Sequence, residues 1–371
     1  MIIFRYLIKE VLAALIAVTL VLLLIFLSNQ LVRYLSYAAA GKIAASFVVE
    51  MLGFEIPYLL ALLLPLGFYL GIILAYGRMY AENELPVLQA CGFSLVRLLA
   101  ITSALAGVIS AVVLILMLWV NPYIADQKGK GLAKDTVLST LRAGRFQVLN
   151  DGHSVIYVET ISRDRTRAKN LFIAQQSPKA VEDNSPWTVI SATNAYQEIE
   201  PTTHQKFIVA NTGYRYDGTP GLNDYKIIQF KKYALRLPAM PMHAAHQEQE
   251  AIPSATLWQH YQNPVSAAEL QWRLAMPLSV FVLMILAIPF SRVRPRQGRY
   301  TYLIPAVLLY IIYVNVLFMA RNWVEQASVP IFIGMWWVHL VLLGLGILLL
   351  FLQQNYKVRS FVLKNIAGKK S

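Results

Sequence analysis

The chain has 371 residues, of which 57% are hydrophobic and 14% are charged, and its formal net charge is +13. Soluble domains carry about a quarter charged residues, so this composition excludes an ordinary soluble protein and favours a chain with membrane-spanning segments. The single cysteine, Cys91, excludes an internal disulfide and a metal site built from several cysteines.

Six long apolar stretches recur along the chain, each close to the ~20 residues that a helix needs to cross a bilayer. The first follows Arg5 and Lys9, as in a signal peptide, but it is longer than a usual signal-peptide core, so we interpret it as a retained helix. The predicted spans are Val11–Leu31, Ile56–Tyr76, Leu98–Val120, Leu274–Phe290, Tyr302–Ala320 and Ile331–Leu352.

Lysine and arginine are unequally divided between the two sets of short loops. The loop Tyr76–Ser94 and both termini belong to the richer set, whereas the opposite loops hold only Arg33, Lys42 and Arg321. Because cytoplasmic loops are enriched in these residues, we predict that both termini and the Tyr76–Ser94 loop are cytoplasmic. The positive charge is then mainly a topology signal with membrane lipids as its partners, and no nucleic-acid partner is expected.

The polar stretch between the third and fourth spans has the pattern of β structure, because runs of β-branched and aromatic residues alternate with turn residues. We therefore predict an α-helical membrane protein with six transmembrane helices, arranged three plus three, and an inserted all-β domain of sandwich, jelly-roll or open-barrel type. The predicted strands are Arg145–Leu149, Ser154–Ile161, Asn170–Gln175, Trp187–Ile199, Lys206–Tyr216 and Tyr225–Leu237.

Three domains follow from this layout. Residues 1–124 hold helices one to three, residues 125–265 the β domain with its exit linker, and residues 266–371 helices four to six and a basic tail. Ser266 and Glu269 have the spacing of a capping box, which predicts the start of the helix that enters span four.

The loop between the second and third spans predicts a short helix, roughly Glu84 to Cys91. Asn83 suits the N-cap and Gly92 the C-terminal stop. The loop also carries two carboxylates, on Glu82 and Glu84. Because membrane helices hold it at both ends, a helix in this place can transmit force.

The sequence contains no signature of catalysis. The nearest match to a nucleotide-binding P-loop is Gly368–Ser371, which lacks the earlier glycine, and neither H-E-x-x-H nor G-x-S-x-G occurs. His243, His246 and His260 lie in the exit linker without carboxylates placed for a metal. We therefore predict a non-catalytic chain that binds no cofactor and no metal.

Three polar residues near or within the spans are candidates for function. His339 lies mid-span, where a polar residue is a functional candidate, although a neutral imidazole bonded to a neighbouring helix is the favoured interpretation. Arg33 and Arg321 follow spans one and five on the predicted outer side. They suit either contact with lipid phosphates or plain anchoring at the interface.

Four stretches resemble the LptF/LptG permease family of bacterial lipopolysaccharide exporters, and the LptF branch most closely. The six-span layout with a central β domain resembles that family from end to end. The stretches are Met1–Leu7 (Met-Ile-Ile-Phe-Arg-Tyr-Leu), Leu31–Arg33 (Leu-Val-Arg), Ala90–Ser94 (Ala-Cys-Gly-Phe-Ser) and Pro295–Arg299 (Pro-Arg-Gln-Gly-Arg).

The resemblance implies a multi-pass protein of the bacterial inner membrane, paired with LptG on a dimer of the cytoplasmic ATPase LptB, which would use the ATP. Together with LptC, the complex would extract lipopolysaccharide from the outer leaflet of the inner membrane. The lipid would rise through a cavity between the two permeases. The β domain would be a periplasmic jelly roll, continuing through LptC and LptA as a bridge to the outer membrane.

The resemblance also implies roles for particular residues. The coupling helix would fall at about residues 80–90, with Glu84 contacting the ATPase and Tyr80, Leu85 and Leu88 in the same coupling set. The phosphate-binding positions for lipopolysaccharide would be Arg33 and Arg321. Glu325, close to Arg321, departs from the family pattern, because its negative charge weakens the interpretation of the Arg321 position as a purely cationic site.

Two other hypotheses belong to different classes. The chain could be a membrane-tethered sensor or assembly scaffold whose β domain binds an envelope partner, but no predicted cytoplasmic segment is large enough for an output domain. It could also be an intramembrane enzyme acting on lipid, but a nucleophile, a metal site and an acid–base pair are all missing.

Overall fold

The computed structural model describes residues 2–39, 45–134, 141, 143–148, 154–162, 167–176, 187–199, 206–219, 225–236, 249–292 and 303–367. The Pro295–Arg299 motif, His243, His246 and the Gly368–Ser371 tail lie outside these residues. Within the described part, the helices are α1 Ile2–Ala39, α2 Val48–Ala81, α3 Glu84–Ala90, α4 Leu95–Ile115, α5 Asn121–Lys134, α6 Ser254–Gln259, α7 Pro264–Phe290, α8 Leu303–Glu325 and α9 Trp336–Ala367.

Six of these helices are long and apolar enough to cross a membrane, which confirms the predicted spans. They are α1, α2, α4 with its continuation into α5, α7, α8 and α9. The last begins at Trp336 instead of Ile331, because the chain turns after Pro330 and Gly334 adopts a positive φ of 48°. Contacts between backbone segments divide the chain into two compact units. One comprises residues 1–29, 54–126 and 249–371, and the other residues 30–53 and 127–248.

Helices α1 and α2 approach each other closely in the first unit. Leu15 and Thr19 of α1 lie against Gly67 and Gly71 of α2, a G-x-x-x-G spacing that lets helix backbones come together in membranes. A Cβ atom on Gly71 would lie 2.9 Å from the backbone nitrogen of Leu15. These glycines therefore set the distance between the two helices.

Helix α7 lies at the centre of the bundle and is buried along most of its length. It begins at Pro264 with Asn263 as its N-cap, whose side-chain oxygen accepts a bond from the Val265 N–H at 3.0 Å. The predicted capping box of Ser266 and Glu269 is therefore wrong. The proline starts the helix earlier, so both residues lie inside it.

A π-helical turn, Leu116–Val120, joins α4 to α5. Such a turn disturbs the regular backbone ladder and often occurs at functional sites. The carbonyl of Leu118 accepts a bond from the Ser254 hydroxyl, at 2.9 Å. The turn is thereby tied to the start of α6.

The strands that the structure describes in the inserted segment form one six-stranded antiparallel sheet, which confirms the predicted β insertion. Its described strands are neighbours in sequence order, and Ile156, Ile173 and Ile190 face one another across three of them on the buried face. The strands are β1 Phe146–Val148, β2 Ser154–Ile161, β3 Arg167–Gln176, β4 Trp187–Ile199, β5 Lys206–Gly218 and β6 Lys226–Arg236.

A polar cluster ties three strands together at one end of the sheet. Arg215 donates to the Asp217 carboxylate at 2.9 Å and to the Tyr233 hydroxyl at 2.9 Å, and Thr188 donates to Asp217 at 2.8 Å. Burial acts to raise the pKa of Asp217, but the bonds from Arg215 and Thr188 outweigh it and hold that pKa below its usual value. The cluster therefore stabilises the sheet fully at a pH above the pKa that Asp217 has in the unfolded chain. This stabilisation is lost as the pH falls through the lower pKa that Asp217 has in the folded protein.

We expect Gly71→Ala to destabilise the protein by about 1–3 kcal/mol, because the new methyl group must push α1 and α2 apart. Thermal unfolding in detergent, followed by tryptophan fluorescence, measures the change. Gly107→Ala in α4 is the matched control, since a Cβ atom there meets nothing within 4 Å. Equal unfolding midpoints for the two variants would contradict this account of the α1–α2 contact.

Candidate functional site

Helix α3 lies between α2 and α4 and has the predicted position. Gly92 has φ +91° and ends it, as predicted. Asn83 stands at the N-cap position but adopts a left-handed φ of 62° and makes no side-chain cap bond, so its predicted capping role is wrong. The reason is that Asn83 also ends α2, where its N–H bonds to the Tyr80 carbonyl at 3.2 Å.

One side of α3 is packed into the helix bundle and the other is exposed. Leu85 is fully buried and Tyr80 nearly so, whereas Val87 is 58% exposed and Pro86 and Cys91 also face outward. Tyr80 and Leu85 therefore act as anchors of the helix, while Leu88 is partly buried against the same core. The direct contact of these three with an ATPase stays a prediction.

Polar contacts join α3 to the two long helices beside it, and we call this group the α3 junction. The Tyr6 hydroxyl of α1 donates to the Glu84 carboxylate at 2.8 Å. Arg78 of α2 pairs with Glu10 of α1 at 2.7 Å and with Glu82 at 3.5 Å. The Tyr6–Glu84 bond attaches α3 to α1, and the Arg78–Glu10 pair attaches α1 to α2.

Arg33 is exposed on α1 and bonds to the side chain of Gln30. Its guanidinium is therefore accessible to a ligand. Arg321 has a very different environment, because its side chain is only 8% exposed and is held by two carboxylates.

Arg321 belongs to a buried arginine–glutamate cluster of Glu269, Arg273, Arg321 and Glu325. The guanidinium of Arg321 lies 2.8 Å from Glu269 and 2.9 Å from Glu325, and its carbon is 5.2 Å from the centre of the Trp272 ring. The Glu269 carboxylate also pairs with Arg273 at 2.7 Å. The cluster thus joins α7 to α8 through one shared carboxylate.

Arg273 extends this cluster to the segment that precedes α6. Its terminal nitrogens donate to the carbonyls of Gln249, Glu250 and Ile252 at 3.2, 3.0 and 3.0 Å, and to the Ser254 hydroxyl at 2.8 Å. Ser254 in turn bonds to the π turn. Arg273 therefore connects α7 to the segment before α6, to the first residue of α6 and, through Ser254, to the π turn.

Sequence reasoning missed Arg273 and assigned a local role to Glu269. The available signal was their i,i+4 spacing, which places opposite charges together on one helix face. The bond that Arg321 donates to Glu269 joins residues far apart in sequence, and no local pattern predicts such a pair.

His339 is buried in α9, and its Nδ1 atom lies 2.8 Å from the Tyr313 hydroxyl of α8. The interpretation of this residue as an imidazole bonded to a neighbouring helix is thereby confirmed. The pair ties the last two spans together.

Comparison with known proteins places the chain beside lipopolysaccharide export permeases. Residues 5–351 match the family described as "Lipopolysaccharide export system permease LptF/LptG". The permease protein LptF of Escherichia coli K12 is 30% identical over 352 residues, which cover 94% of each chain, and LptF from E. coli O157:H7 and from Shigella flexneri give the same figures.

We expect Arg273→Gln to destabilise the protein by about 3–5 kcal/mol. The change removes the buried positive charge that pairs with Glu269 and the N–H groups that donate to the backbone carbonyls. Arg97→Gln, at an exposed position in the first turn of α4, is the control and should have little effect. Unfolding midpoints in detergent compare the two. A midpoint for Arg273→Gln equal to that of Arg97→Gln would show that the buried pairing is not needed for stability.

Proposed function

Because the chain belongs to the LptF/LptG family of lipopolysaccharide export permeases, we propose that it forms one half of the membrane channel of the exporter and has no catalytic residues of its own. In this role it extracts lipopolysaccharide from the outer leaflet of the inner membrane and passes it to a periplasmic bridge. The six membrane-crossing helices and the β insertion suit such a subunit. Both termini and α3 then face the cytoplasm.

The architecture of α3 is the observation that carries this proposal. The helix is locked into the bundle by Leu85, bonded to α1 through Glu84 and exposed at Val87. A partner that pushes on the exposed side therefore moves the two longest helices. We infer that this partner is the ATPase LptB, which supplies the energy of ATP hydrolysis.

The proposed partner in the membrane is LptG. The apolar stretches of helices α1, α8 and α9 are mostly exposed, whereas those of α2 and α7 are largely buried. In the complex this surface meets lipid and the second permease. LptC, and through it LptA, continue the path of the lipid from the β domain.

The proposed ligands for the phosphates of lipopolysaccharide are Arg33 and Arg321. Arg33 is exposed and presents its donors directly. Arg321 is engaged by Glu269 and Glu325 and must be released before it binds a phosphate. Guanidinium groups suit this task, because their fork of N–H donors matches the oxygens of a phosphate.

We expect Glu84→Arg to lower ATP-dependent release of lipopolysaccharide by about 5- to 150-fold, as expected for loss of a coupling free energy, because it removes the bond to Tyr6 and places a second cation near Arg78. Release is measured in proteoliposomes that contain the full complex, alongside ATP hydrolysis. Glu50→Arg is the control, because it makes the same charge change at an exposed carboxylate in the first turn of α2, outside the α3 junction.

Unchanged transport in Glu84→Arg would contradict the coupling role of α3. A chain that purifies in mild detergent without any ATPase would contradict the exporter assignment and favour an envelope scaffold.

We expect Arg33→Glu to weaken photocrosslinking of lipopolysaccharide to the complex several-fold while assembly survives, since Arg33 is exposed and its bond to Gln30 lies within one helix. Arg33→Lys is the control, because it keeps a positive charge at the same exposed position. Equal crosslinking in Arg33→Glu and the unmodified complex would favour plain anchoring.

For Arg321 the informative change is Arg321→Gln. A glutamate there would place a third carboxylate beside Glu269 and Glu325, in a buried site where unpaired charge is strongly destabilising. The amide adds no third carboxylate, and Glu269 keeps its pair with Arg273, so reduced crosslinking in a variant that still assembles would report on the ligand.

A further inference from the structure

We propose that the carboxylate of Glu325, together with that of Glu269, makes Arg321 selective for lipids with a phosphate monoester and excludes phospholipids with a phosphate diester. This inference rests on the proposed function, in which Arg321 binds the headgroup of lipopolysaccharide. It assigns a specificity-determining role to two acidic residues at a site otherwise defined by its cations.

The two arginines of the cluster differ in how fully they are engaged. Arg273 directs its donors to Glu269, to Ser254 and to three backbone carbonyls, so it is a structural residue. Arg321 directs only Nε and Nη2 to carboxylates and rests against the face of Trp272. Of the two, Arg321 is the one that is able to exchange partners.

The charges of the cluster cancel. Arg273 and Arg321 contribute two positive charges, and Glu269 and Glu325 contribute two negative charges, and each group lies within 2.9 Å of at least one group of opposite charge. An approaching headgroup with one negative charge therefore meets no net attraction. To bind Arg321 it must displace a carboxylate that carries the same charge and is already in place.

A phosphate monoester is a stronger competitor. It carries a charge of about −1.5 to −2 at pH 7 and three strong acceptor oxygens, whereas the diester of a phospholipid carries a single charge. The lipid A part of lipopolysaccharide bears phosphate monoesters. A headgroup therefore needs more than one negative charge to displace the carboxylates from Arg321. The phosphate monoesters of lipopolysaccharide meet this requirement, and the phosphate diesters of the bulk phospholipids do not.

Release of Arg321 leaves neither carboxylate stranded in an apolar site. Glu269 keeps its bond to Arg273 at 2.7 Å. The side chain of Glu325 is 14% exposed, compared with 5% for Glu269, so water can solvate it after the exchange. The energetic penalty that normally locks a buried ion pair is therefore lower for an exchange at Arg321 than for one at Arg273.

The test is competition binding to the purified complex in phosphatidylethanolamine nanodiscs. Fluorescent lipopolysaccharide is displaced either by unlabelled lipopolysaccharide or by phosphatidylglycerol, and the ratio of the two affinities is the selectivity. In Glu325→Gln the amide oxygen still accepts from Arg321, but the competing charge is gone. We expect phosphatidylglycerol to bind about tenfold more tightly, equivalent to about 1.4 kcal/mol, while the affinity for lipopolysaccharide stays equal or rises.

Two variants serve as controls. Glu325→Asp keeps the competing charge and should keep the selectivity. Glu50→Gln removes an exposed carboxylate at the start of α2, which is not a partner of Arg321, and should also keep it. A merely structural role for Glu325 would change stability in both Glu325 variants without changing the ratio of affinities.

Unchanged selectivity in Glu325→Gln, or loss of lipopolysaccharide binding in that variant while Glu325→Asp still binds it, would overturn the inference. Both results leave the proposed function intact. In this experiment, the result that would contradict the proposed function is a different one, namely that the unmodified complex does not bind lipopolysaccharide.

Discussion

The carboxylate of Glu269 is shared between two buried arginines, and the packing of α6, α7 and α8 around it depends on that arrangement. A charge in an apolar setting is tolerated only when it is paired and hydrogen-bonded. Glu269 satisfies this requirement for Arg273 and Arg321 at once. Arg273 then gathers the backbone of Gln249–Ile252, and Ser254 links it to the π turn. One carboxylate therefore organises elements that are distant in sequence.

The α3 junction follows a different physical rule. Its ion pairs are partly exposed, and such pairs contribute about 0–1 kcal/mol each. What fixes α3 is the burial of Leu85, not its charges. The junction can therefore exchange polar partners at low cost while the helix stays in place. The arginine–glutamate cluster is the opposite case, because most of its bonds cannot be broken without leaving a buried charge unpaired.

Local patterns predicted the elements well and their pairings poorly. The bounds of β2 and β4 were predicted correctly, since β-branched residues and turns mark them directly. The six spans were also predicted correctly, because the length of each apolar run can be read directly from the sequence. The pairing of Glu269 with Arg321 and the contact of Gly71 with Leu15 could not be found, since both depend on which helices meet. The capping box failed because a neighbouring proline set the helix start.

Cys91 has a practical consequence for following the molecule in time. It is the single cysteine of the sequence, and it lies exposed at the end of α3, one turn from the exposed Val87. A thiol-reactive fluorophore or spin label therefore reaches one known place without removal of any other cysteine. Because the Cys91 thiol is already exposed in the folded protein, its labelling does not require unfolding, and a slower labelling rate reports shielding by a bound protein. The chain thus has a native attachment site for a spectroscopic label beside the surface proposed to bind the ATPase.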